Sequence, residues 1–436
     1  MTQREVALRL LCDIEEGGKY ANLAISSHLT DGLSRKDKAI VTALLYTTVE
    51  HKITYDYYIG YLAGRGIDEI APRVRNILRL GLCQLLHMST VPDFAAVAET
   101  VKLAKNQGER AFVNGILRAA VRKKGQLPLP DKSKNPARYY SVYYSLPTAL
   151  VKHFMSFLSY EDCEALFSSF NREAYTDLTV NTVKISVDEY AQKLKDAGYE
   201  ATRVDFSPLT LRINASVNPR KLPGYEDGLF FVQDAASALC ASLLSLKAGE
   251  RAIDVCSAPG GKSFALAILS GDGADVRSFD LHEAKMSLIS GGAQRLGLSS
   301  VTPSVRDGLS PDEALFGTAD ALLCDLPCSG LGVIAKKPDL RYRDLASLSE
   351  LPELQLKLLS ASAKYLKAGG RMIYSTCTLN KAENEEVVSE FLRLHPEFSL
   401  EDFAVGSIAS KDGMLTLYPH LNGTDGFFIS KLRKNK

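Results

Sequence analysis

The sequence predicts a multidomain protein, with an all-α bundle first, a small α+β segment next, and a doubly wound α/β domain at the carboxyl end. Three observations predict this. Apolar residues recur at helical spacing through roughly the first 125 residues. Strand and helix patterns then alternate through the last half of the chain. Within that half, the short apolar run RAIDV enters a turn rich in proline and glycine, CSAPGGK, that opens a helix.

Residues 1–125 are read as the helical bundle. In REVALRLLCDIEE, Val6, Leu10, Leu11 and Ile14 fall on one face, and KAIVTALLYTTVEHKI and PRVRNILRLGLCQLLHM repeat the pattern. RAFVNGILRAAVRKKG turns Phe112, Val113, Ile116, Leu117, Ala120 and Val121 inward and leaves Arg118, Arg122, Lys123 and Lys124 for solvent. Residues 126–169 open with GQLPLPDKSKNPARYY, whose three prolines predict a linker. Residues 170–225 read as strand, helix with Asp188 near its start, then strands, which makes a small α+β subdomain ending near Pro223. Residues 226–436 are left for the α/β domain.

Composition bounds the function. A chain of 436 residues, 46% hydrophobic and 24% charged, can bury several cores. The opening MTQREVALRLLCDIEEGG carries acidic residues early, and no segment approaches about 18 uncharged apolar residues, so a cytoplasmic protein without membrane contact is expected. The eight cysteines lack both the paired spacing of a zinc site and the density of a disulfide scaffold; reduced thiols and no metal follow. Residues 1–150 hold 21 Lys and Arg against 14 Asp and Glu, a net +7, while the remainder is net −6. A basic module joined to an acidic one suggests that the first meets a polyanion, and a solvated charged face is the plainer alternative.

The chemistry is expected at the strand ends of the α/β domain, because ligands of such sheets collect outside the carboxyl ends of the strands. In CSAPGGKSFALAIL, Pro259, Gly260 and Gly261 let the backbone turn tightly and approach a ligand, and the helix behind them points its amide N–H groups forward. Neither the dinucleotide fingerprint nor the phosphate loop is matched, which leaves another adenosine cofactor. VRSFDLHEAK supplies a second strand ending at Asp280, where a carboxylate can accept both ribose hydroxyls; an acidic helix cap is the plainer reading. VTPSV ends near Asp307, and ADALLCDLPCSG ends at Asp325 with Pro327 stiffening the chain before Cys328. A second cysteine, Cys377, stands at the strand end in IYSTCTLNKAENEEVV. A buried, inert thiol is the default for any one cysteine. Two at one crevice call for more.

These blocks resemble the signature blocks of the RNA cytosine-5 methyltransferases: Cys256, Ser257, Ala258, Pro259, Gly260, Gly261 and Lys262; Asp325 to Gly330; Ser375 to Thr378 with Glu383 to Glu385; and Asp425 to Phe428 in the last strand pair. Phe112 to Arg118 resembles the RNA-binding NusB fold, a fusion typical of the RsmB/Sun group. The resemblance spans almost the whole chain. It implies a NusB-like bundle, a Rossmann-like class I S-adenosyl-L-methionine-dependent methyltransferase domain, and methylation of carbon 5 of a cytosine in small-subunit ribosomal RNA.

That reaction needs a thiolate at carbon 6 to turn the ring into a nucleophile, then a base for the carbon-5 proton and a route for expelling the thiol. The resemblance assigns attack to Cys377 and product release to Cys328; the competing assignment, carried over from DNA enzymes, makes Cys328 the nucleophile. It implies cofactor contacts from Cys256 to Lys262 and from Asp280, Asp307 and Asp325. Asp280 would hold ribose and Asp307 would lie near the adenine amino group. Asp325 is expected to stabilise charge on the ring. Lys262 is expected to hold the cofactor carboxylate or lower a thiol pKa, and Cys256 to act through its backbone.

AKKPDLRYR resembles a basic segment near the target nucleotide, so Lys336, Lys337, Arg341 and Arg343 are candidate phosphate contacts alongside Arg118 and Arg122. The target base would be presented unstacked. Three positions depart from the family pattern: Ala335 for arginine, Gly292 for asparagine and Ala149 for tryptophan. A monomer is expected. Two other readings remain: a methyltransferase for transfer RNA or another ribosomal cytosine, and a noncatalytic RNA-binding assembly factor. Intact Asp280, Asp325, Cys328 and Cys377 weigh against the latter.

Overall fold

A computed structural model describes residues 1–17, 32–172 and 175–435 together with residues 25 and 30. The chain forms two compact units. The first takes Met1–Asn171 and Lys337–Leu345; the second takes Arg172–Lys336 and Ala346–Lys436.

In the helical unit, Gln3–Gly17, Arg35–Glu50, Lys52–Ala63, Pro72–His87, Asp93–Val101 and Gln107–Arg122 are helices. Ser34 and Asn106 cap two of them, each accepting an amide three residues on. Pro72–His87 lies at the centre, with every residue from Ile77 to Leu85 buried. Its Arg79 is buried too, and the cost of that charge is offset by a fork onto Asp56 at 2.6 and 2.8 Å and by Glu15 at 2.8 Å. Gly81 admits Leu117, whose methyls would stand 2.5 and 2.7 Å from a side-chain carbon there.

The expected linker over 126–169 is largely helical. Pro136–Tyr143, Thr148–Met155 and Tyr160–Ser169 are helices of the same unit. Pro136 opens the first of them, since the first helical position has no N–H to lose, and Asn135 caps it through the Arg138 amide at 2.9 Å. Ala149 is exposed; an alanine there leaves no cavity.

The second unit begins with a four-stranded antiparallel sheet in the order β2-β3-β1-β4, built from β1 (Thr176–Val180), β2 (Thr202–Val204), β3 (Ser207–Ile213) and β4 (Phe230–Val232). The helix Val187–Asp196 covers it, opened by a capping box between Ser186 and Glu189. Because β4 pairs with β1, this sheet runs past the expected end near Pro223, to Val232.

The larger sheet contains β5 (Arg251–Asp254), β6 (Asp275–Asp280), β7 (Val301–Val305), β8 (Ala319–Asp325), β9 (Leu366–Thr376), β10 (Phe398–Leu400), β13 (Met414–Leu417) and β14 (Phe427–Lys434). A separate ribbon pairs β11 (Ala404–Val405) with β12 (Ile408–Ala409). The main path runs β10-β14-β9-β8-β5-β6-β7, with β5 to β9 parallel and β14 antiparallel to β9. Strand order reverses direction between β5 and β8, and the crevice at their carboxyl ends is where such a sheet takes its ligand.

Candidate active site

At the end of β5 the chain turns through Val255 to Gly260 into the helix Gly261–Leu269. Ser257 ties this loop to β6, giving both its amide and its hydroxyl to the Phe279 carbonyl at 2.8 and 2.9 Å. Gly260 adopts φ +111°, a left-handed conformation, with the Phe264 ring packed where a side chain would stand. The same ring explains Gly292: a Cβ there would meet Phe264 at 2.5 Å.

A cleft of about 250 Å³ opens beside this loop. Cys256 to Pro259, Gly261, Lys262, Asp325 and Cys377 line it, so most of the residues expected to act together do meet. Asp325 at the end of β8 accepts Lys262 Nζ on Oδ2 at 2.6 Å and Ser375 Oγ on Oδ1 at 2.9 Å. Burial pushes the Lys262 ammonium down, but Asp325, joined by Cys240 and Asp254, outweighs it and holds the pKa above its ordinary value. Lys262 is therefore a fixed cation.

Cys328 and Cys377 face each other with their sulfurs 3.3 Å apart. The contact with Cys377, followed by burial, raises the Cys328 pKa well above that of a free thiol. A clasp fixes the two loops. Buried Glu383 accepts the Ser329 amide at 2.8 Å and Gln355 Nε2 at 3.1 Å, while Ser329 Oγ meets Thr378 Oγ1 at 2.6 Å. Asn384 joins Thr376 at 2.6 Å to the Thr378 carbonyl at 3.0 Å. The Gly332 amide donates to the Cys377 carbonyl at 3.0 Å, and the Gly426 amide to the Gly332 carbonyl at 2.8 Å.

Of the expected residues, Gly260, Asp280, Asp307 and Cys328 do not line this cleft. Asp280 ends β6 against the back of the loop, accepting the Ala258 amide at 3.3 Å and pairing with Lys285 at 3.4 Å. Asp307 is exposed and caps its own turn through the Leu309 amide at 2.9 Å, on a loop tied to Asp280 by the Arg306 amide. The Cys256 thiol is pushed up to about 12, by burial first and then by Asp254, Asp325 and Asp280.

Two of the expected phosphate contacts are corrected. Arg341 is 1% exposed, and its guanidinium donates to the carbonyls of Glu50, Ser145 and Phe170 and to Asn171 Oδ1, all within the helical unit. It is a structural tie. Lys336 is bound between Asp234 at 3.0 Å and Asp425 at 2.8 Å. Lys337 and Arg343 belong to the same excursion into the helical unit as Arg341. Arg118 and Arg122 border an open groove on that unit with the exposed Phe94.

Sequence reading missed Asp254, Asp234 and Asp425 as lining of the cleft. For Asp254 the signal was a carboxylate at the end of an otherwise apolar strand. It is fully buried; Ser263 Oγ donates to Oδ2 at 2.7 Å, and Oδ1 has no protein partner. Burial raises its pKa to about 7 despite the Ser263 bond. Raised in the fold and ordinary when unfolded, this group stabilises the protein below about pH 4, and that contribution is lost as pH rises towards 7. Asp254→Asn is expected to flatten the fall and to be more stable than the parent at pH 8, by on the order of 3 kcal/mol, with no gain at pH 4. Urea melts at both pH values test this; an equal change at both would remove titration as the cause.

Among the described residues, no cluster of three or more His, Cys, Asp or Glu is placed to hold a metal ion, and no helix is long and apolar enough to cross a membrane.

This fold and cleft define a Rossmann-like methyltransferase domain behind a NusB-like helical domain and a ferredoxin-like subdomain. Comparison with known proteins narrows the class. Residues 241–433 match the family "16S rRNA methyltransferase RsmB/F", residues 1–122 the NusB family, and residues 146–219 the RsmF/B-like ferredoxin-like domain. The chain is 36% identical to the probable ribosomal RNA small subunit methyltransferase B of Synechocystis, covering all of both chains. It is 34% identical to the protein of that name from Bacillus subtilis, over 99% of this chain and 98% of the other. A solved structure described as PH0851 superposes with TM-score 0.81 at 26% identity over 100% of this chain and 99% of that one. A methyltransferase homologue from Pyrococcus horikoshii gives 0.61 at 26% identity, over 69% of this chain and 99% of its own. The chain belongs to the ribosomal RNA small subunit methyltransferase B family.

Proposed function

We propose that this protein is a ribosomal RNA methyltransferase that uses S-adenosyl-L-methionine to methylate carbon 5 of a cytosine in small-subunit RNA. The observation that carries the reading is the pair of cysteines in contact, Cys328 and Cys377, of which Cys377 lines the cleft. Methyl transfer to an oxygen or an amino nitrogen needs no thiol. Carbon 5 does, because only addition at carbon 6 makes it nucleophilic.

The residues present fit the cofactor. The carboxylate of Asp325 offers negative charge for a sulfonium or an ammonium group. Lys262 and the first amides of the helix Gly261–Leu269 offer the complement for a carboxylate. Asp280 would hold the ribose, and Asp307 would stand by the adenine. When bound, the cofactor supplies an electrophilic methyl group. Cys377 attacks carbon 6; Asp325, fixed by Lys262 and Ser375, meets the N3 and N4 edge of the ring. Cys328 then donates its proton as the Cys377 thiolate leaves. Arg118, Arg122, Lys337 and Arg343 remain candidate backbone contacts.

The test incubates the protein with methyl-labelled S-adenosylmethionine and small-subunit RNA, followed by nucleoside analysis. Label in 5-methylcytidine is expected. Label in any other nucleoside would overturn the reading.

A further inference from the structure

Carbon-5 methylation leaves a proton to remove, and the steps above assign no base to it. Asp325 is poorly suited, since both of its oxygens already accept hydrogen bonds from Lys262 and Ser375. Asp254 is fully buried at the end of β5, bonded to the cofactor-loop helix through Ser263. Asp425 differs from both.

It lines the same cleft as Cys377 and sits just ahead of β14. The backbone ladder through Gly332 brings it there: the Cys377 carbonyl accepts from Gly332, and the Gly332 carbonyl accepts from Gly426, the residue after Asp425. Asp425 Oδ2 is held by Lys336 at 2.8 Å, and no protein donor reaches Oδ1 among the described residues. Its side chain keeps 12% of its exposure and lines the cleft, where a substrate would lie. Behind it, Asp234 is saturated: it accepts Tyr175 Oη at 2.9 Å, Lys336 at 3.0 Å, the Asp425 amide at 3.2 Å and the Ala236 amide at 3.0 Å. Burial first, and then the Asp234 charge, raise the proton affinity of Asp425 above that of an ordinary carboxylate, with Lys336 opposing. A carboxylate with one open face and a raised affinity is what a general base requires.

We propose that Asp425 takes the carbon-5 proton from the methylated, Cys377-bound cytosine, an inference that rests on the carbon-5 reading above. The C5–H bond breaks and its proton passes to the Asp425 carboxylate. Its electron pair moves into the C4–C5 bond as an enamine, and in a second step forms the C5–C6 double bond as the C6–S bond breaks, returning Cys377 as the thiolate that Cys328 protonates. Lys336 and Asp234 are positioning residues.

The experiment uses the full chain, RNA tritiated at carbon 5 of its cytosines, and S-adenosylmethionine labelled with carbon-14. Wild type releases one tritium per methyl transferred. Asp425→Asn is expected to transfer methyl into a gel-stable protein–RNA adduct while tritium release falls by about 10²–10⁴-fold. Asp425→Glu, which keeps a carboxylate, restores part of the release. Cys328→Ala still releases tritium, because its defect lies after proton removal. Release from Asp425→Asn at the wild-type rate overturns the proposal, as does a complete lack of methylated adduct from that variant. Methylation by wild type without any tritium release would instead overturn the carbon-5 reading itself.

Discussion

Alanine in place of Cys377 is expected to lower methyl transfer by at least roughly 10⁴-fold and to abolish the protein–RNA adduct, since a covalent nucleophile has no substitute in the cleft. The same change at Cys328 should leave attack intact and let the adduct accumulate. The asymmetry follows from the roles proposed above: Cys328, its sulfur 3.3 Å from that of Cys377, can return a proton to the departing thiolate but takes no part in attack. Denaturing gels and labelled cofactor read both effects at once. If Cys377→Ala stays active while Cys328→Ala is dead without adduct, the roles are exchanged.

Gly332→Ala is the second large effect. A Cβ at this position would stand 2.5 Å from the carbonyl carbon of Gly426 and 2.8 Å from its Cα, and neither backbone can step aside. Both belong to the ladder that joins Cys377 to Asp425. Displacing reacting groups by about an ångström costs on the order of 10²-fold in rate, and overpacking of this kind costs about 1–3 kcal/mol or more of stability. Gly291→Ala is the control, because its Cβ would meet nothing within 4 Å. Melting temperature and initial rate are to be measured for both. A Gly332→Ala protein that matches the control in both would show that the two chains separate freely.

Much of the site was legible because its residues sit in short, rigid blocks. A turn that needs glycine, a proline before a cysteine and an acidic residue at a strand end each leave a local mark. What was not legible depended on residues distant in sequence. Lys336 and Arg341 read as phosphate contacts in AKKPDLRYR, yet one is claimed by Asp234 and Asp425 and the other by carbonyls of the helical unit. Nothing near either residue in the chain announces those partners. Asp234 and Asp425 lie 191 residues apart and meet only through tertiary folding. The segment 126–169 differs in kind: its prolines read as breaks, although Pro136 starts a helix. Gly292 appeared as an unexplained departure until Phe264, 28 residues earlier, was seen to occupy its space.

The excursion of Lys337–Leu345 into the helical unit changes what counts as a module. Tyr342 gives its hydroxyl to the Val49 carbonyl at 2.6 Å, and Arg341 binds carbonyls there as well, so the amino-terminal unit is completed by residues that begin 166 positions after Asn171. The chain passes between the two units three times rather than once. A gene fragment stopping at residue 171 lacks part of its own interior, and one beginning there carries a buried arginine with nowhere to go. The fusion in this chain is thus woven rather than appended: the bundle cannot be exchanged for another by a single cut without also rewriting the segment Lys337–Leu345.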